Sequence, residues 1–69
     1  MVETGRNIDR LRRQAGLSVR ELQSAVGVGS PQAIYKWLGG ASLPSVDNLV
    51  VLAVIFDVGI EDILAVRVA

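Results

Sequence analysis

The chain has 69 residues, 51% of them apolar, with seven basic and seven acidic side chains and neither His nor Cys. A chain of this length forms one domain at most and buries only about 60% of the surface that its unfolded form exposes. The absence of His and Cys excludes disulfides, thiolate chemistry, the common zinc sites and the Ser-His or Cys-His nucleophile pairs, and favours an intracellular setting.

In chain order, the apolar spacing predicts five helices. The first runs from Gly5 to Ala15, with Thr4 as its N-cap and a buried stripe of Ile8, Leu11 and Ala15. Gly16 stops it. The second starts at Ser18, where Ser18-Val19-Arg20-Glu21 reads as a capping box. Val19, Leu22, Ala25 and Val26 form its inner stripe, and Arg20, Gln23 and Ser24 face outward. Gly27 ends this helix. Ser30 caps the third, with Pro31 at its first position, where a missing N–H does no harm. Ile34, Trp37 and Leu38 line its inner face, which leaves Gln32, Tyr35, Lys36 and Gly39 opposite. Gly39-Gly40 closes it. Pro44 and Ser45 open the fourth helix, whose core face is Leu49, Leu52, Ala53 and Phe56. Asp57-Val58-Gly59 breaks the chain before a last helix from Ile60 to about Val66, with Ile60, Ile63 and Leu64 inward. Short connections and no strand-like alternation give an all-α, five-helix domain spanning 1–69.

Two surface features stand out. Residues 1–36 carry six basic and three acidic side chains, a net +3, whereas residues 37–69 carry one basic and four acidic, a net −3. Such a split suggests that one end faces an anionic partner. On the fourth helix, Val51 and Val54 fall opposite Leu49 and Phe56, where polar residues belong. This face, or the final helix with Val66 and Val68, is a candidate dimer or partner surface.

The second and third helices, joined by a tight turn, have the form of a helix-turn-helix. The ordered set Gly5, Ile8, Leu11-Arg12, Gly16-Leu17-Ser18, Leu22, Gly27-Val28, Ile34, Trp37, Gly40, Leu43-Pro44-Ser45, Leu49 and Leu52 resembles the phage-repressor and Cro (XRE) type of helix-turn-helix protein. It is most similar to a bacterial subgroup with Ser-Pro-Gln-Ala ahead of the recognition helix. The resemblance implies a lambda-repressor-like fold, with a DNA-reading unit at about 18–38. It implies that Gln32, Ala33, Tyr35 and Lys36 face the groove, and that the starts of the second and third helices lie near phosphates. It also implies that the turn from Gly27 to Ser30 is one residue longer than in most relatives. One departure stands out. The family usually pairs the arginine at position 12 with an acidic residue at position 38, which here is Leu38. Arg12 must therefore find solvent, a carbonyl, another carboxylate or a DNA phosphate.

The side-chain chemistry suits this role. The Gln32 amide donates and accepts at once, matching N6 and N7 of adenine. Lys36 reaches a phosphate or a guanine, and Tyr35 offers a ring for a thymine methyl and a hydroxyl for a phosphate. Ser18, Arg20 and Ser30 suit phosphate contact beside helix N-termini. Trp37 belongs to the core. Gly27-Val28-Gly29 lacks the third glycine and the preceding strand of a dinucleotide site. Glu61 and Asp62 are adjacent, so they point different ways on a helix. No catalytic residue, metal or cofactor is expected. No apolar run approaches the ~18–20 residues of a membrane span, and no apolar stretch of a signal peptide follows Val2 to Gly5.

The expectation is a cytoplasmic, sequence-specific regulator that binds double-stranded DNA as a homodimer on a near-palindromic operator. Repression is the simpler outcome, since a chain this short leaves little room for an activating surface. The alternative is a protein-interaction module on the same fold, antitoxin-like or an assembly partner.

Overall fold

The computed structural model describes residues 2–64. Among them it has five α-helices and no strand: α1 (Val2–Gln14), α2 (Val19–Val26), α3 (Pro31–Leu38), α4 (Val46–Phe56) and α5 (Ile60–Leu64). The all-α, five-helix expectation holds. All five helices contribute to one core of Ile8, Leu11, Leu22, Ile34, Trp37, Leu49, Leu52 and Ile63. No helix among the described residues is long and apolar enough to cross a membrane.

The helices touch in a ring: α1 lies against α3 and α5, α2 against α3 and α4, and α4 against α5. The α1–α3 contact depends on Gly5, which is buried. A Cβ at this position would collide with the carbonyl oxygens of Trp37 and Leu38. Only glycine lets the two backbones come this close. The glycine therefore sets how α1 seats the C-terminal end of α3.

Thr4 is not a cap. α1 begins before it, and Thr4 is buried inside the helix, where its hydroxyl donates to the Leu64 carbonyl at 3.3 Å. One turn on, the Asn7 amide donates to the Ile63 carbonyl at 3.2 Å. Both acceptors belong to the last turn of α5, whose carbonyls have no partner within their own helix.

Ala15 and Ala25 are exposed, not buried. Helix α1 ends at Gln14, so Ala15 already lies where the chain turns off the core through Gly16. In α2, Ala25 sits about 60° round from Leu22, on the side away from Val19 and Val26. Gln23 is half-buried rather than outward, and its amide donates to the Val28 carbonyl at 3.3 Å.

In α4 the expected core face is confirmed, with Leu49 and Leu52 buried and Ala53 and Phe56 half-buried. The outward face differs from the expectation. Val51 is half-buried, and the exposed valines are Val46 (73% exposed), Val50 (47%) and Val54 (75%). These are spaced i, i+4 and i+8, one ridge along the helix. Val66 and Val68 lie outside the described residues.

Candidate nucleic-acid interface

The two helices of the unit start differently. At α2 the capping box is complete: the Glu21 N–H donates to Ser18 Oγ at 3.0 Å, and the Ser18 N–H donates to Glu21 Oε1 at 2.9 Å. The Ser18 backbone N–H, and after it the Ser18 side chain, hold the Glu21 carboxyl below the usual glutamate range. Glu21 therefore stays charged at neutral pH, and the Ser18 amide is already engaged. Of the first-turn amides, those of Val19 and Arg20 remain for an outside anion.

At α3, Ser30 stands at the N-cap with an extended backbone and Pro31 follows, but the Ser30 side chain makes no cap hydrogen bond. The expectation that Ser30 caps holds for its position and fails for its bond. Pro31 has no N–H, so the amides of Gln32 and Ala33 open the helix without a side-chain acceptor. With no acidic residue in this turn, the partial positive charge of the helix start is uncompensated by side chains.

Between the two helices, Gly27 takes a left-handed backbone (φ 89°), and its N–H closes α2 on the Gln23 carbonyl at 2.9 Å. An L side chain there would be strained, which is why glycine suits the turn. Gln23 then secures the turn through Val28, as described above.

The outer face of α3 is set by its inner face. Ile34 and Trp37 are buried and Leu38 is half-buried. At about 100° per residue, this places Tyr35, Gln32 and Lys36 on one outward arc. All three are exposed, Tyr35 at 60%, whereas Ala33 is half-buried at the edge of the arc. Of the phosphate candidates, Ser18 and Arg20 are exposed on α2 and Ser30 is half-buried at the start of α3.

Leu38 leaves Arg12 without its usual partner, and the structure supplies two others. Arg12 Nη2 and Nε donate to Asp9 Oδ1 at 2.7 and 3.2 Å, and Nη1 donates to the Leu17 carbonyl at 2.8 Å. Arg13 Nε pairs with the other Asp9 oxygen at 3.0 Å. The Asp9 carboxyl is held below the ordinary aspartate range, chiefly by the Arg12 hydrogen bond and against a smaller effect of burial. The Arg12 side chain, only 15% exposed, thus ties α1 to the residue before Ser18. A carboxylate three residues before an arginine on one helix is the signal that could have identified Asp9. Thr4 and Asn7 had no such local signal.

A family model described as Helix-turn-helix matches residues 8–63. No curated protein matches the chain.

Proposed function

The chain belongs to the helix-turn-helix family of the XRE type, a family of DNA-binding transcription regulators, and from that premise we propose a sequence-specific repressor. It acts in the bacterial cytoplasm as a homodimer on a near-palindromic operator, within the Cro-like branch that carries Ser-Pro-Gln-Ala. Two copies of α3 enter successive major grooves about 34 Å apart. Gln32 reads an A·T pair, Tyr35 and Ala33 contact its neighbours, and Lys36 takes a phosphate or a guanine. Ser18, Arg20 and Ser30 hold the flanking phosphates. Occupancy of a promoter is itself the regulatory act.

The observation that carries this reading is the division of α3: one face buried on Ile34 and Trp37, the other an exposed arc of Gln32, Tyr35 and Lys36. The uncapped start of the same helix supports it, since an incoming phosphate satisfies those amides. At α2 the Ser18 and Glu21 amides are already engaged, so fewer are left for a phosphate.

A gel shift against the DNA upstream of the chain's own gene, repeated through a salt series, tests the proposal. Binding should weaken steeply with salt. Lys36→Ala should lower the salt slope by about one if Lys36 meets a phosphate. Gln32→Ala should cost about 1–3 kcal/mol and relax preference at a single base pair. Retention of no duplex at low salt overturns the reading.

A further inference from the structure

Helix α4 is apolar at nine of its eleven positions, Asp47 and Asn48 being the exceptions. A helix that is apolar all round is ordinarily covered all round. Here only part of it is: Leu49 and Leu52 are buried, while Val46, Val50 and Val54 form an uncovered ridge. Eight residues separate the first and last valine, so the ridge is about 12 Å long. Helix propensity does not account for them. A β-branched residue is a poorer helix former than Ala, Glu or Lys, and exposed helix positions ordinarily take the better formers.

Charge identifies what fits the ridge. Asp47 stands beside its first turn, Asp57 lies beyond its last valine, and both are exposed. Glu61 and Asp62 follow at the start of α5, and no Lys or Arg occurs anywhere from Trp37 to Leu64. Among the described residues no ion pair involves any of these four carboxylates. Asp57 sits at the end of α4, where the helix favours a cation, and with a left-handed φ of 54°. A glycine would suit that backbone better. Of the four carboxylates, Asp57 alone stands against local preference; Asp47, Glu61 and Asp62 lie in helix first turns, where a negative charge is favoured.

We propose that the Val46-Val50-Val54 ridge, with Asp47 beside its first turn and Asp57 beyond its last valine, docks a cationic amphipathic helix of a different protein. Such a helix lays an apolar stripe on the valines and places Lys or Arg about 15 Å apart, over the two aspartates. A second copy meeting ridge to ridge brings two like-charged rims together. A second copy presenting its basic α1 brings the exposed Arg6, Arg10 and Arg13, a stripe with no apolar residue to match the valines. An anionic membrane or a nucleic acid is repelled by the same carboxylates. Because the Lys and Arg side chains among the described residues lie on α1 to α3, this surface and the DNA-reading arc of α3 use opposite charges. The docking proposal does not rest on DNA binding.

The test uses the full chain labelled with ¹⁵N, titrated with a synthetic helical peptide that has leucines at i, i+4 and i+8 and lysines at both ends. The same peptide with glutamates in place of the lysines is the control. Amide shifts confined to α4 and its flanks are expected with the lysine peptide, and binding about tenfold weaker or absent with the glutamate peptide. Asp47→Asn with Asp57→Asn should weaken the lysine peptide, and Val50→Lys with Val54→Lys should abolish it while the folded spectrum is retained. Four outcomes overturn the proposal. They are no shift with the lysine peptide, equal binding of both peptides, shifts centred on α1 to α3, and sedimentation showing a dimer that the lysine substitutions dissociate. A gel shift of the Val50→Lys, Val54→Lys chain, run separately, should match the unsubstituted protein.

Discussion

Helices α1 to α3 and helices α4 to α5 meet solvent in opposite ways. Directed side-chain contacts run along α1 and α2 and into the turns that follow them: Arg12 to Asp9 and Leu17, Ser18 with Glu21, and Gln23 to Val28. The exposed faces of α1 to α3 carry Arg6, Arg10, Arg13, Arg20, Gln32 and Lys36. α4 contributes caps but no side-chain bond to another helix among those described, and its outer face is a valine ridge with an acidic rim. The side-chain bonds of α1 and α2 fix the turns on either side of α2, the second of which leads into α3, while α3 itself is set by Ile34 and Trp37 in the core. A surface that offers an apolar ridge needs only a packed inner face. The same fold supports both kinds of surface, on opposite charges.

The contrast is broken most severely at Gly5, where α1 and α3 approach through backbone. Gly5→Ala improves the helix preference of α1 by about 1 kcal/mol. It also drives a Cβ into two carbonyl oxygens that cannot swing aside. Overpacking of this kind costs about 1–3 kcal/mol and occasionally more. A net loss of up to about 2 kcal/mol in urea unfolding is expected, with weaker DNA binding because α3 is displaced. An unchanged midpoint would show that the front half is not held by this contact.

Next in size is the pair of N-cap serines. Ser18→Ala removes a cap bond and half of a capping box, worth about 1 kcal/mol. Ser30→Ala removes no cap bond and should cost no more than about half as much. The DNA readout should reverse this order. Ser30→Ala should weaken binding with little loss of stability, whereas Ser18→Ala should act mainly through stability. Equal stability losses would show that Ser30 caps α3 in solution.

Asp9 follows. Its folded acidity is strengthened, so its contribution is fully present above the ordinary aspartate value of 3.8 and is lost as pH falls through the lower folded value. Unfolding measured from pH 7 down to about pH 2 should therefore show a steeper acid-side loss in the parent chain than in Asp9→Asn. At pH 7 Asp9→Asn should be less stable by about 1 kcal/mol, since the Arg12 guanidinium keeps only the Leu17 carbonyl as a full acceptor. Parallel pH curves would remove Asp9 from the brace.

What could be read in the sequence tracks how local each interaction is. The Ser18 capping box lies within four residues and is found as expected. The missing partner at Leu38 implied a new one for Arg12, and the structure provides both a carboxylate and a carbonyl. Gly5 and Thr4 were misread as a helix start, because their true partners, Trp37, Leu38 and Leu64, are more than thirty residues away. On α4 the error has another origin. With nine apolar positions, the helix has almost no polar face from which to orient it, so Val51 was placed outside when Val46 and Val50 belong there. The arc of Gln32, Tyr35 and Lys36 was legible for the opposite reason: Ile34 and Trp37 define the inner face without ambiguity.

The smallest effect separates the two halves most cleanly. Val54 is 75% exposed, so shortening it to alanine forfeits little burial in the free chain. Alanine is the better helix former by about 0.5 kcal/mol, so Val54→Ala should raise stability by a few tenths of a kcal/mol. The gain should not vary with protein concentration. A loss of about 1 kcal/mol that grows with concentration would mean that a second copy already covers the valine, since a partner bound only to the folded state stabilises by mass action. A concentration-independent gain means that the ridge is open in the free protein and that Val54 is retained at a cost to the fold. A residue kept at such a cost on an acidic, apolar surface is explained by what that surface binds, and the corresponding truncation on the front, Gln32→Ala, should change DNA recognition while leaving the unfolding midpoint in place.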